Sequence, residues 1–411
     1  MGPILLTSGG HKPTMIREKS VRVEIAPVLI AVWLGLITTA QADEPAARSG
    51  LEPIDLTPFA SGIHHWRNLR DESRFIKVEP GQPSYSAAQV REIVANILLF
   101  QRDNGGWPKD YDMTAILTAD QRARVAASRG RDDASYDNGN IHSQVAYLAH
   151  ATARTHDPTW RAACERGFDY LLRSQYANGG FPQRFPEPTG YHAHITFNDG
   201  VMIGVLNVLS AAALGATHFA WLDDARRLRA KAAVERGVDC ILRCQIRVDG
   251  RLTGWCQQHD EQTFEARPAR TFELASLCPQ ETTEIVRFLM RRPDPSAEII
   301  RAVDSAVAWL QKVRLTGIRV EKVKSTSESF LRHDTDIDVV VVSDPNARPI
   351  WARHYEIGAD RPVFAGRDGI KKYELAGIER ERRTGTPWYG GWPASLIERE
   401  YPAWRDQRAR R

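Results

Sequence analysis

Two corners of the chain set a carboxylate beside a side-chain amide just ahead of a helix-like run. Asp137-Asn138 precedes Val145 and Leu148, and Asn198-Asp199 precedes Met202, Val205 and Leu206. Asp and Asn are also the preferred helix N-caps, so one such corner alone reads as capping. Two in consecutive repeats point to an oxygen-only site, which suits Ca²⁺, an ion that accepts carboxylates, amide carbonyls, water and a ligand's own carboxylate. The sequence has no twelve-residue EF-hand loop and no HExxH, so the ion would be held jointly by distant loops and a bound ligand. A second set of groups is cationic. In WCQQHDEQTFEARPAR, residues 255–270, Arg267 and Arg270 flank Pro268, which disfavours a regular helix and leaves both as aimed side chains. Between 351 and 393, Arg353, Arg361, Arg367, Arg382 and Arg383 stand among aromatics and turns. A guanidinium fork matches a carboxylate bidentately, whereas lysine offers a point charge. Arg353 beside Trp351 and Arg367 in AGRDG read as ligand-facing, while Glu379 and Glu381 place Arg382 on a solvated, salt-bridged face.

A repeat positions these groups. Apolar helices run into Leu98-Leu99-Phe100-Gln101, Leu171-Leu172-Arg173-Ser174-Gln175 and Ile241-Leu242-Arg243-Cys244-Gln245, and break at RDNGGWP, YANGGFP and IRVDGRLTGW. A fainter fourth copy ends at Trp309-Leu310-Gln311, and the glutamines lie 74, 70 and 66 residues apart. Each interval holds a helix pair, which predicts a ring of helical hairpins whose glycine-rich breaks gather at one end. Helical spacing covers 86–101, 140–154, 159–174, 199–214, 222–244, 283–290 and 295–312. Strand-like text is limited to 319–323, 338–342 and 362–364, so the class is all-α with a small β appendage near the C-terminus. Trp107, Phe181, Trp255, Trp351, Trp388 and Trp392 sit in the breaks, where aromatics plug a barrel mouth or stack on sugar faces.

Basic MIREKSVRVE, apolar IAPVLIAVWLGLITTA and Ala40-Gln41-Ala42 form a signal peptide over 1–42, with a mature chain from Asp43 that is secreted or periplasmic and leaves the membrane after cleavage. The apolar run is short of the roughly 20 residues of a spanning helix. Residues 43–80 read as a linker, and 81–405 as one large domain expected to be monomeric. A net charge of +4 over 411 residues excludes a nucleic-acid binder by composition, so the arginines count locally, as a lining for something anionic. Five cysteines, odd in number and without zinc-type doublets, allow one or two disulfides in an oxidising compartment.

NGGWPKDYDM at 104–113, YDNGNIHSQ at 136–144, NGGFPQRFP at 178–186, HITFNDGVM at 194–202, WCQQHD at 255–260, PARTFELASL at 268–277 and the 351–393 block resemble, in order and spacing, the pectate lyases of polysaccharide lyase family ten. The resemblance implies an (α/α)3 barrel or toroid and calcium-dependent cleavage of polygalacturonate by anti β-elimination. By motif, Asp137 and Asp199 would hold Ca²⁺. Lys109, Asn138, Arg353, Arg367 and Arg383 would bind substrate, and Arg270 in PARTFE would be the catalytic base, with Arg267 as the alternative. His354 stands where the family usually has phenylalanine, and NIHS where smaller residues are usual. An inverting glycoside hydrolase using Asp137 and Asp199, or a non-catalytic acidic-sugar-binding protein, would use the same residues differently.

Overall fold

A computed structural model describes residues 51–410, so the expected signal peptide over 1–42 lies outside the described residues. The helices are α1 (Ala60–Asn68), α2 (Val90–Phe100), α3 (Ala119–Ala127), α4 (His142–Thr155), α5 (Pro158–Arg173), α6 (Val201–Ala213), α7 (Asp224–Cys244), α8 (Pro279–Met290), α9 (Ala297–Lys312), α10 (Arg380–Gly385) and α11 (Tyr401–Ala409). Three antiparallel hairpins, α4/α5, α6/α7 and α8/α9, make the ring: α4, α6 and α8 touch in succession on the inside, and α5, α7 and α9 do so outside. This is the (α/α)3 toroid. The inner helix α6 is apolar on nearly every side and buries Val201, Met202, Val205, Leu206 and Leu209, as a helix surrounded by others must. The outer helices start on real caps: Asp157 accepts from Thr159 and Trp160 ahead of α5, Asp223 from Arg226 ahead of α7, and Ser296 from Ile299 ahead of α9.

The repeated glutamine is a stitch between hairpins and not a helix stop. Gln101 Nε2 donates to Gly105 O at 3.1 Å and to Ala163 O of the next outer helix at 2.9 Å; Gln175 does the same with Gly179 O and Ala233 O, and Gln245 with Thr253 O and Ala302 O. Three residues beyond each helix acceptor, Arg166 and Arg236 donate back to Gln101 and Gln175 Oε1, at 2.8 and 2.6 Å. In the third copy that position is Ser305, and Gln245 Oε1 has no partner. The break aromatics are stitches too: the indole N–H groups of Trp107, Trp255 and Trp351 donate to Ile97 O, Ile241 O and Leu310 O. Gly179 is obligatory, since its φ is +91° and an added Cβ would stand 2.0 Å from Arg236 O.

The β pairs are short, apart from one. Strands β1 (Ile195–Thr196), β4 (Gln258–His259) and β5 (Ala266–Arg267) form a three-stranded sheet, and β2 (Arg247–Val248) pairs with β3 (Arg251–Leu252). Strands β6 (Ile318–Ser329) and β7 (Asp334–Ser343) make a long antiparallel hairpin, while β8 (Trp351–Ala352) pairs with β11 (Tyr389–Gly390) and β9 (Phe364–Ala365) with β10 (Lys371–Lys372). Within the segment expected over 43–80 as a linker or N-terminal extension, residues from 51 onward are packed: α1 buries Trp66 to 1 % exposure and Phe59 packs on Tyr147 of α4 at 5.5 Å, so apolar burial holds this extension on the ring. All five cysteines are buried free thiols, so neither of the allowed disulfides is formed.

Candidate active site

The two Asp/Asn corners are single 3₁₀ turns, Asp137–Gly139 and Asn198–Gly200, lying against each other at one end of the ring. Each holds a non-glycine residue in the left-handed region, Asn138 at φ 59° and Asp199 at φ 52°, and each is followed by a glycine of positive φ. That backbone costs on the order of 1 kcal/mol per residue. Neither corner caps its helix, since α4 and α6 begin without a side-chain cap, so capping does not account for these residues. What the turns achieve is to bring the Asp137 and Asp199 carboxylates close enough inside the protein for each to act on the other's ionisation.

The electrostatics follow from that closeness. Burial pushes Asp199 well above the usual carboxylate range, and the charge of Asp137 adds to it. For Asp137 burial works in the same direction, but the Lys109 ammonium bonded to Oδ2 outweighs it and holds the group low. The other oxygen of Asp137 accepts from Gln183 Nε2 at 2.8 Å, and Gln183 Oε1 meets His192 Nδ1 at 2.6 Å. Asn198 Nδ2 donates to Asp199 at 2.8 Å, while its oxygen accepts from Gln257 at 2.8 Å and from Arg353 at 3.3 Å. Arg353 also reaches Gln280 Oε1 at 3.4 Å. Asn138 donates to Asp110 at 2.7 Å.

Facing these carboxylates across a cleft of about 650 Å³ is an arginine cluster built round one ring. The guanidiniums of Arg382, Arg270 and Arg367 lie 3.8, 4.8 and 5.8 Å from the centroid of Phe272. Arg270 is forked onto Glu273, with Nε at 2.7 Å from Oε2; burial would lower its pKa, but Glu273 reverses this and holds the group fully charged. Arg367 is forked onto Glu381, with Nε at 2.6 Å. Arg382 has no such fork, its Nε is buried without a partner, and burial followed by the neighbouring guanidiniums brings it down to about 10.

The cleft therefore gathers Lys109, Asp137, Asn138, Asp199, Arg270 and Arg353, with Arg367 behind Glu381 at its edge. Two arginines are elsewhere. Arg267 pairs with Asp260 at 2.9 Å, while Arg383, expected to bind substrate, is forked onto Asp338 of β7 at 2.8 Å and ties α10 to the long hairpin. Arg382 is the converse correction: expected on a solvated face, it is 9 % exposed and lines the cleft. Phe272 and Glu273 lie inside PARTFELASL and Gln183 inside NGGFPQRFP, but residue type alone assigns them no role there, and Gln280 falls outside every motif. Arg332 and His333, at the hairpin tip, and His64 and His65 of α1 also line the cleft without having been anticipated.

The sequence model of the pectic acid lyase family matches residues 101–397. A mutant of the family 10 polysaccharide lyase from Cellvibrio cellulosa, in complex with trigalacturonic acid, is 30% identical with a TM-score of 0.64, the match covering 76% of this chain and 94% of that one. A second structure, of the family 10 polysaccharide lyase from Cellvibrio cellulosa, matches at 30% identity over the same shares, with a TM-score of 0.62. No curated protein sequence matches. With the toroid, the cleft and a match across most of its length in agreement, this chain belongs to the pectic acid lyase family and is a pectate lyase of the family 10 polysaccharide lyase type.

Proposed function

We propose that the enzyme cleaves the α-1,4-linked galacturonan backbone of pectin by calcium-dependent anti β-elimination, releasing 4,5-unsaturated oligogalacturonides. The observation that carries this reading is the pairing, in one cleft, of two buried carboxylates with a bank of guanidiniums, since this substrate bears a carboxylate on every ring. The C5 proton lies α to that carboxylate, and its removal builds negative charge there. Arg353, steadied by Asn198 and Gln280, and Arg382, held over the Phe272 ring, take that charge through preorganised forks. Arg270 accepts the C5 proton in its neutral form, the C5–H electrons form the C4–C5 double bond, the C4–O bond breaks and the departing oxygen is protonated from water. Asp137 and Asp199 would hold Ca²⁺, and the fit is chemical: these are two neighbouring buried carboxylates, and the charge of Asp199, opposed by burial and then by Asp137, is relieved by a hard cation. When bound, calcium supplies Lewis-acid stabilisation of the substrate carboxylate.

An inverting hydrolase would need its carboxyls about 6.5 to 9.5 Å apart. Asp137 and Asp199 sit on turns packed against each other and act on each other's ionisation, a closeness that argues for the lyase. The signal-peptide pattern read in the sequence over 1–42 supports export, and no helix among the described residues is long and apolar enough to cross a membrane. The test is polygalacturonate with calcium: the expected result is the ultraviolet absorbance of an unsaturated uronide, lost on chelation and in Asp199→Ala. New reducing ends without that absorbance would establish hydrolysis, and undiminished turnover in excess chelator would remove calcium from the mechanism.

A further inference from the structure

We infer that the tip of the β6–β7 hairpin straps one end of the cleft shut, so that the enzyme works from a chain end, with Arg332 holding the carboxylate of the terminal uronate. This rests on the reading of the cleft as a galacturonan site. A cleft open at both ends lets a polymer lie across it at any register; joining its two walls removes that freedom. One wall is the ring, carried outward by α1, whose Ser61 hydroxyl donates to Asn138 Oδ1 at 3.4 Å. The other is the C-terminal segment around α10, which carries Arg382 and Glu381.

The hairpin is fastened to both walls. Arg380 of α10 donates to Ile337 O at 2.9 Å and Thr326 O at 2.7 Å, and Arg383 grips Asp338 at 2.8 Å, so both strands are bolted to that wall. At the tip the His333 ring meets Thr384 Oγ1 at 3.1 Å. From the opposite side, just past α1, the Arg70 backbone N–H donates to Arg332 O at 2.8 Å, while the Arg70 guanidinium reaches Asp334 Oδ2 at 2.6 Å and also Phe330 O. The bridge is therefore continuous, from α10 through the tip to α1. Arg332, His333 and Asp334 line the same cleft as Asp137, Arg270 and Arg353, so the bridge forms a boundary of the reacting space. Arg332 is paired only loosely, with Asp71 at 3.9 Å, and its side chain is 46% exposed. A fork left in that state at a closed end matches the carboxylate of the last ring of a chain.

The experiment follows viscosity and new reducing ends together on polygalacturonate, so cleaved bonds are counted whatever the chemistry of cleavage. For the wild type we expect a slow viscosity fall per bond cut, with one short oligomer dominating from the earliest times. Unfastening the tip in an Arg70→Ala, Asp334→Ala double variant should raise the viscosity loss per bond several-fold and broaden the product sizes. Arg332→Ala should raise KM for trigalacturonate about tenfold with little change in kcat. A wild-type enzyme that collapses the viscosity while few bonds are cut, with mixed products from the start, overturns the proposal without needing any variant. A missing unsaturated product, by contrast, would count against the lyase reading and leave the strap to be judged on the viscosity.

Discussion

At the scale of single residues the tension lies in Arg270. It is the base in the proposed reaction, yet Glu273 holds it charged, so the reactive neutral form is scarce and should grow tenfold with each pH unit. The expected profile of kcat/KM therefore climbs with slope near +1 above pH 7 and turns over near the value of about 10 to which Arg382 is brought, because Arg382 then loses the charge that grips substrate. A profile flat from pH 7 to 9 would remove Arg270 as the base. Glu273→Gln takes away the anion that opposes deprotonation, so the climbing limb should shift to lower pH. Arg270→Ala should abolish turnover while still binding oligogalacturonate, whereas Arg267→Ala, paired to Asp260 outside the cleft, should be mild. Separately, Arg353→Lys and Arg382→Lys keep the charge and lose the fork, and each should cost about tenfold or more in kcat/KM, roughly 1.4 kcal/mol. Arg383→Lys serves as the control: with its fork on Asp338, it should change kcat/KM far less, and equal losses in all three would show that the cleft assignment fails.

At the scale of elements, the ring is held by copies of one bonding pattern, and the third copy is incomplete. Gln101 and Gln175 have arginine donors for their amide oxygens, while Gln245 Oε1 is buried without one, and an unsatisfied buried acceptor costs about 1 to 3 kcal/mol. Ser305→Arg should supply the missing donor and raise the midpoint of urea denaturation by an amount equivalent to roughly 1 kcal/mol. Conversely, Gln175→Ala leaves the Gly179 and Ala233 carbonyls and Arg236 without their partner and should destabilise by at least about 2 kcal/mol. If Ser305→Arg were neutral and Gln175→Ala harmless, the stitches would be incidental to the ring.

At the scale of the whole molecule, buried histidines make the fold acid-sensitive. His259 is fully buried, its Nδ1 donates to Phe264 O at 2.9 Å and its Nε2 accepts the Cys256 N–H at 3.1 Å, so burial brings its pKa down to about 4. His354 is likewise lowered to about 3, by burial first and then by Arg353. An unfolded histidine titrates near 6.5, so the unfolded chain binds more protons below that pH. Stability is thus fully present above about pH 6.5 and falls as the pH drops toward 4, by roughly 3 kcal/mol for His259 alone. Urea midpoints at pH 7.5 and 5.0 check this, and His354→Phe should narrow the gap between them. Equal midpoints would contradict it.

The periodic parts of the molecule were legible without coordinates. Helices α4 to α9 fall within a few residues of their expected bounds because a helix buried on one face must write that face every three to four residues. The repeated glutamine was visible for a similar reason, since each stitch demands the same residue at the same place. The Asp/Asn corners could be located and read as an oxygen site, but not their left-handed backbone, because a cap and a left-handed turn use the same residue types. What only the tertiary structure decided depended on partners distant in sequence. Arg382 enters the cleft because Phe272, 110 positions earlier, offers it a ring, and Arg383 next to it leaves because Asp338 lies on the other side. The segment from residue 51 to 80 reads as polar linker, yet Trp66 is buried against the ring. The closure of the cleft joins Arg70 to a hairpin tip some 260 residues away, and no local pattern encodes a contact whose two halves are each unremarkable alone.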